Sequence, residues 1–323
     1  MRRIAAAWLI GCFAAFVADA AYAQSTFPSR TVKIVVPFPG GGINDVLARI
    51  IGDKFQTKWG QPIVIENKVG AGGNIGATLA YQSEPDGYTL LLSAPGPLAV
   101  NQNLYKQLSY KPLDFVPLTM IGSVPNMVIV RKDLPVSSLK DLIDYVKANP
   151  GQVSFGSQGN GATPHLTAMM FQGMTDTRMV HVPYRGENLV LNDMIGGHVD
   201  VFFGNIASGG PPYRDGLVKV LALADTRRSP LLPEIPTTAE AGLPGLVSTG
   251  WFALAAPPKM APALASEIAK TAIEVIQMPD VQSRFRTARV EPIGNSPAEM
   301  AAFIKEEAQR WSNVIKKNNI VVD

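Results

Sequence analysis

Two short segments far apart in the chain are built alike. Each ends an apolar run, turns through glycines and opens a stretch with helical spacing. The first is Val36–Arg49 (VPFPGGGINDVLAR) and the second is Phe155–His165 (FGSQGNGATPH). A strand that turns straight into a helix belongs to helices packed on a largely parallel sheet, because parallel neighbours need a crossover between them. Consecutive glycines let the backbone approach a ligand closely. The first amides of the following helix have no partner within it, and they carry partial positive charge. Such a turn suits an anion. One turn of this kind is equally well a plain tight connection. Two, in separate units, suggest a grip on both ends of a small anion. Neither Phe38–Asn44 nor Gly156–Thr163 contains Lys or Arg. Amides, the hydroxyls of Ser157 and Thr163, and bound water would therefore supply the donors.

The remaining pattern supports an α/β reading. Strands are predicted at Thr31–Val36, Ile63–Ile65 and Tyr88–Leu92, with helices at Asn44–Trp59 and from Gly73 to about Ser83. The rhythm restarts after Pro125. Strands are predicted at Met127–Val130, Val153–Phe155, Met179–Val182, Val199–Phe203 and Val218–Ala224. Helices are predicted at Ser138–Ala148, Pro164–Phe171 and Leu189–Ile195. Ser138 and Asp141 have the spacing of a capping box. Ser229–Pro236 reads as a surface loop and Val247–Ala255 as a strand. Helices at Ala261–Met278, Pro279–Ala288 and Pro297–Lys316 finish the chain. Two such units point to two lobes with a cleft between them, a common place for a small-molecule site.

The start of the sequence has the layout of a secretory signal: Arg2 and Arg3, an apolar run Ile4–Val17, then Ala21-Tyr22-Ala23 before Gln24. The run is short for a membrane span, which needs about 20 apolar residues. Residues 1–23 are expected to be removed, leaving the mature protein in the periplasm. Leu9-Ile10-Gly11-Cys12 also resembles a lipid-attachment box, although its Cys lies early and a good cleavage site follows. Cys12 is the sole cysteine, so the mature chain forms no disulfide. Loss of Arg2, Arg3 and Asp19 changes the formal charge from +3 to +2. With Lys and Arg scattered, that is no nucleic-acid footprint.

Several motifs fail on inspection. Gly70-Ala71-Gly72-Gly73-Asn74-Ile75-Gly76 has Ile75 where a dinucleotide fingerprint needs its third glycine, and no phosphate-loop Gly-Lys-Ser/Thr is present. Gly156-Ser157-Gln158-Gly159 lacks the spacing of a nucleophile elbow. His165, His181 and His198 lack metal-ligand spacing. They read as surface or hydrogen-bonded histidines, and Asp193 and Asp200 as ordinary turn and surface acids. No catalytic constellation, metal site or cofactor is expected.

VPFPGGGINDVLAR resembles the tripartite tricarboxylate transporter receptor family, the Bug receptors. The resemblance continues through Gly60-Gln61-Pro62, Glu66-Asn67, GAGGNIG at Gly70–Gly76 and PDGYTLLL at Pro85–Leu92. In the second half it takes in Phe155–Gly161, HVPYRG at His181–Gly186 and LNDMIGGHVDVFFGN at Leu191–Asn205. It covers essentially the whole mature chain. It implies a two-lobed periplasmic binding fold (type II-like), each lobe a sheet flanked by helices. Lobe 1 would comprise residues 24–125 and 250–323, and lobe 2 residues 126–249. The implied ligands are small mono- or dicarboxylates, aromatic acids among them, held between the glycine-rich loops by amides and ordered water. Those roles carry over to Phe38, Gly41, Gly42, Ser157, Gly159 and Thr163, and less firmly to Ser93 and Asn205 at the pocket edge.

The chain departs from the family pattern at three positions. Gly40 and Val69 replace usual prolines, and the first replacement suggests a more mobile loop. Gly204 replaces a common aspartate, which disfavours an amino-acid ligand. Asp45 follows the pattern, and it is expected to cap its own helix or order water. The expected role is a monomeric receptor that delivers ligand to the membrane subunits of a tripartite tricarboxylate-type transporter. The alternative is a ligand-presenting subunit for a periplasmic signalling domain.

Overall fold

The protein is described by a computed structural model covering residues 27–317 and 320. The signal region, Cys12 and the cleavage point after Ala23 lie outside the described residues. In chain order the first part forms β1 (Val32–Val36), α1 (Ile43–Trp59), β2 (Ile63–Asn67), α2 (Asn74–Tyr81), β3 (Thr89–Ser93) and β4 (Val116–Pro125). Then follow β5 (Met127–Arg131), α3 (Leu139–Ala148), β6 (Ser154–Ser157), α4 (Thr163–Thr175), β7 (Val180–Pro183) and α5 (Glu187–Ile195). Next come β8 (Val201–Phe202), α6 (Ile206–Arg214), β9 (Val218–Leu223), β10 (Thr249–Ala256), α7 (Pro262–Ile276), α8 (Pro279–Thr287), β11 (Glu291–Pro292) and α9 (Pro297–Lys317).

The strands form two sheets, ordered β11-β4-β10-β3-β1-β2 and β7-β6-β8-β5-β9. The two share a plan. In the first, β1 is flanked by β2 and β3, both parallel to it. In the second, β6 is flanked by β7 and β8, both parallel to it. Antiparallel strands extend each trio: β10 and β4 in the first sheet, β5 and β9 in the second. The chain thus goes from the central strand to one neighbour and then crosses to the other. This reversal opens a crevice at the carboxyl ends of the central strand and its second neighbour, the preferred ligand position in open α/β sheets.

Local signals explain the elements. The fully buried Val32, Ile34, Val35 and Val36 make β1 a core strand. Gly60, at φ 65°, closes α1 with its amide on the Gln56 carbonyl. Both arms of the capping box at Ser138 and Asp141 are formed at the start of α3. Two segments escape sequence reading. The ten-residue β4 contains Pro117, Gly122 and Pro125, all breaker residues. Gly122 is needed there, because a Cβ would lie 2.8 Å from the Glu291 carbonyl oxygen. The nine-residue α6 carries Pro211 and Pro212 inside it.

The lobes are joined where β4 runs through Asn126 into β5, and where the chain returns through Ser248 into β10. Asn126 N donates to Ser248 O (3.1 Å), and its side-chain amide donates to Ser248 Oγ (2.9 Å). Thr167 Oγ1 lies 2.6 Å from the same hydroxyl. The C-terminal helix braces this joint. Glu307 of α9 accepts from Trp251 Nε1 (3.0 Å) and Trp311 Nε1 (3.1 Å), and Arg310 donates to the Val247 carbonyl (2.9 Å). Leu166 of α4 packs with Leu98, Leu104, Trp251 and Trp311 in one apolar cluster spanning both lobes. Among the described residues no helix is long and apolar enough to cross a membrane.

Candidate ligand-binding cleft

The residues singled out from sequence stand at the carboxyl ends of the parallel trios. Phe38, Gly41 and Gly42 follow β1, and Ser93 ends β3. Ser157 ends β6, Gly159 and Thr163 follow it, and Asn205 follows β8. These are the crevice positions that the sheet topology defines. The facing loops meet through the segment after β3. A Cβ on Gly73 would lie 2.7 Å from the Pro97 ring and 3.4 Å from Phe38, and one on Gly161 would lie 2.5 Å from Leu104. Asn101, almost fully buried, donates to the Gly72 carbonyl (3.2 Å).

In lobe 1 the glycine loop is exposed at Gly40, Gly41 and Gly42. Gly41 N donates to Asp45 Oδ2 (2.9 Å), and Asn67 Nδ2 donates to the Phe38 carbonyl (3.0 Å). Asp45 therefore closes the loop onto the first turn of α1. Arg49 pairs with its carboxylate through two hydrogen bonds of 2.9 and 3.0 Å. Burial opposes ionisation of Asp45, but Arg49, the Gly41 amide and Asn67 together hold its carboxyl below the ordinary carboxylate range. Gly40, the residue standing for proline, has Asn67 beside it.

In lobe 2 the loop is half-buried, with Asn160 at its tip exposed. Ser157 is fully buried, with Oγ 2.7 Å from His181 Nε2 and accepting from Gly159 N (3.1 Å). Gly161 N donates to His165 Nδ1 (3.1 Å), so the proton of neutral His165 sits on Nε2. Phe155, His181 and His165 stack, the two imidazoles 4.3 Å apart at their centroids. Burial lowers His181 to about 4, and burial with the neighbouring His181 lowers His165 to about 3. Both are neutral through the physiological range. The Ser157 hydroxyl in this contact is shut away from solvent. No group of His, Cys, Asp and Glu able to hold a metal ion occurs among the described residues.

Four residues not singled out from sequence lie beside these loops, Asn44 in lobe 1 and Gln158, Glu187 and Ser208 in lobe 2. Glu187 opens α5, and its carboxyl accepts from Asn205 Nδ2 at 2.8 and 2.7 Å, from Ser208 Oγ and from Gln158. Burial pushes this carboxyl up to about 7 against the opposing pull of the Ser208, Gln158 and Asn205 donors. Asn205 Oδ1 meanwhile caps α6, accepting from Ala207 N and Ser208 N, both 3.0 Å. Asn44 Oδ1 and Gln158 Oε1 are the buried side-chain polar atoms without a partner among the described residues. One lies on each glycine loop or its helix start.

Two acids read as ordinary have structural partners. Asp200 accepts from Arg131 Nε (2.8 Å) and from Ser154 N (2.7 Å), tying β5 to β6 across β8. Asp193 accepts from the Tyr184 hydroxyl (2.7 Å). Gly204 has a steric reason: a Cβ there would lie 2.1 Å from the ring of fully buried Phe202. An aspartate is shut out of position 204, yet Glu187 brings a carboxyl to Asn205 from another element.

Comparison with known proteins agrees with this architecture. Residues 47–320 match the family model described as tripartite tricarboxylate transporter family receptor. Protein BugT of Bordetella pertussis (strain Tohama I) is 36% identical over 312 residues, 96% of each chain. The solved structure of R. palustris Rpa4515 with adipate superposes with a TM-score of 0.86 at 34% identity, covering 92% of this chain and 100% of that one. MatC (Rpa3494) from Rhodopseudomonas palustris with bound malate gives a TM-score of 0.83 at 31% identity, covering 90% and 100%.

Proposed function

Because this chain belongs to the tripartite tricarboxylate transporter receptor family, we propose that it captures a small carboxylate in the periplasm without altering it and hands it to the membrane subunits of such a transporter. The observation that carries this reading is the pair of glycine-rich loops at matching crevices of two sheets, linked by two strand crossings. The unpartnered buried acceptors Asn44 Oδ1 and Gln158 Oε1 sit at those loops, as expected where ordered water around the ligand donates to them, since a carboxylate itself only accepts. The adipate of Rpa4515 and the malate of MatC, both carboxylates, support the ligand class.

On this reading residues 24–125 with 250–323 form one jaw and residues 126–249 the other. The carboxylate rests against Phe38, Gly41, Gly42, Ser157, Gly159 and Thr163, with Ser93 and Asn205 behind it. Ser93 and Ser157 are fully buried, so they act by shaping the backbone around the ligand.

A thermal-shift screen of carboxylates on the chain beginning at Gln24 tests the reading. A ligand at roughly 100 times its dissociation constant should stabilise the protein by about 2.7 kcal/mol, and solution scattering should show a smaller radius of gyration. An unchanged scattering curve at saturation removes the two-jaw clamp. Gly41→Asp should abolish the response, because a Cβ there meets open space and the new charge would face the anion. Arg185 is exposed and makes no hydrogen bond or ion pair among the described residues. Loss of the response in Arg185→Ala, with Gly41→Asp unaffected, would replace the amide cradle by a guanidinium clamp.

A further inference from the structure

The lobe 2 crevice already holds a carboxyl group, and it belongs to the chain. Glu187 takes both oxygens to Asn205 Nδ2 and receives Ser208 Oγ and Gln158. The start of α6 is used as well, because the Ala207 and Ser208 amides donate to Asn205 Oδ1. These are the groups that a second ligand carboxylate would need at the β6/β8 crevice. The buried side-chain atom that remains free there is an acceptor. With its amide nitrogen turned to Glu187, Gln158 leaves Oε1 buried without a partner. An acceptor beside a carboxyl calls for a donor.

We infer that Glu187 is a specificity-determining residue that fills the lobe 2 anion position from within, so that the ligand is a monocarboxylate whose far end carries a hydroxyl or ammonium. This rests on the carboxylate reading above and narrows it. The ligand carboxylate goes to the exposed loop of lobe 1, where the Gly41 and Gly42 amides are held by Asp45 and the Pro39 carbonyl and the first amides of α1 with ordered water supply the donors, and the donor end goes to Gln158 and Glu187. Ionised Glu187 also repels a second negative charge across a poorly solvated gap. Desolvation raises this half-buried carboxyl, consistent with a site that already bears a solvation cost for one negative charge.

Isothermal titration at pH about 8, where Glu187 is mostly ionised, decides the matter with length-matched sets. One set is succinate, 4-hydroxybutyrate and 4-aminobutyrate. Another is adipate, 6-hydroxyhexanoate and 6-aminohexanoate. The aromatic set is terephthalate, 4-hydroxybenzoate and 4-(aminomethyl)benzoate. In whichever set binds, the hydroxy or amino acid should bind at least about tenfold tighter than the dicarboxylate, a difference of about 1.4 kcal/mol. Glu187→Gln should strengthen dicarboxylate binding at least about tenfold. A dicarboxylate that binds the wild type as tightly as its partners overturns the inference and leaves the carboxylate reading standing. So does unchanged selectivity in a Glu187→Gln protein with a normal melting transition. If that variant does not fold, the wild-type ranking decides alone. Binding of no member of any set overturns the carboxylate reading and this inference with it.

Discussion

The two glycine loops repeat one device with opposite chemistry. Gly41 donates its amide to the side chain four residues on, Asp45, and Gly161 donates to the side chain four residues on, His165. The glycines have nearly the same backbone angle, φ 78° and φ 77°. Yet the acceptor is an ionised carboxylate paired with Arg49 in one lobe and a buried neutral imidazole in the other. The surroundings differ too. A Cβ on Gly41 meets nothing within 4 Å, whereas one on Gly161 would strike Leu104 of the opposite lobe at 2.5 Å. The same turn therefore serves as an open lip in lobe 1 and as part of the inter-lobe packing in lobe 2. Local sequence sets the turn, and the neighbours decide what it is for.

The widest gap is expected between alanine substitutions at these glycines. Gly161→Ala should cost about 2–4 kcal/mol in denaturant unfolding, from left-handed strain together with overpacking against Leu104. Equal costs at the two glycines would erase the distinction. Next in size is the acid response of lobe 2. The folded state holds His181 at about 4, below its ordinary value of 6.5, so its contribution is fully present above 6.5 and is lost as pH falls towards 4. That shift corresponds to at most roughly 3 kcal/mol, less where solvent screens it, and a pH series of unfolding curves should show this part lost in His181→Asn while His165, held at about 3, keeps its own response.

Glu187 should act in the opposite direction. Its folded value of about 7 lies above the ordinary 4.5, so its contribution is present below 4.5 and lost as pH rises through 7. At most roughly 3 kcal/mol, the same ceiling as for His181 because the displacement is equal, should separate the two ends of that window, and Glu187→Gln should remove the slope while leaving the histidine response. The smallest effects belong to the open lip. Gly41→Ala should cost about 1–2 kcal/mol from strain alone. Thr163→Ala should weaken carboxylate binding by about 1 kcal/mol, the net value of one hydrogen bond. A larger loss for Thr163→Ala in calorimetry would mean that lobe 2, not lobe 1, carries the ligand charge.

Much of this was legible in the residues because it depends on neighbours in sequence. The buried run Val32–Val36, the glycines after it, the Gly60 stop and the Ser138 capping box are local events, and they produce their elements wherever the chain goes. The β4 strand was not legible, since Pro117, Gly122 and Pro125 read as breakers. It is a strand because β10 and β11 pair with it from either side. Nor was α6, whose Ile206–Arg214 stretch looks like a glycine–proline loop. Gly209 suits it because helix and sheet approach so closely there that a Cβ would lie 2.4 Å from Ile129.

What the sequence determined by itself was the alternation of strands and helices, the two glycine loops and their lack of basic residues, because hydrophobic period and backbone freedom are properties of short segments. What only the tertiary structure decided was the electrostatic character of each crevice. Glu187 falls just before the helix predicted at Leu189–Ile195, an unremarkable place for an acid. It becomes a carboxyl shared between two helix starts because the crossover from β7 to β8 sets the start of α5 beside the start of α6, bringing Asn205 and Ser208 to it. Hydrogen bonds and desolvation act over a few ångströms of space, and which residues share those ångströms is a property of the fold.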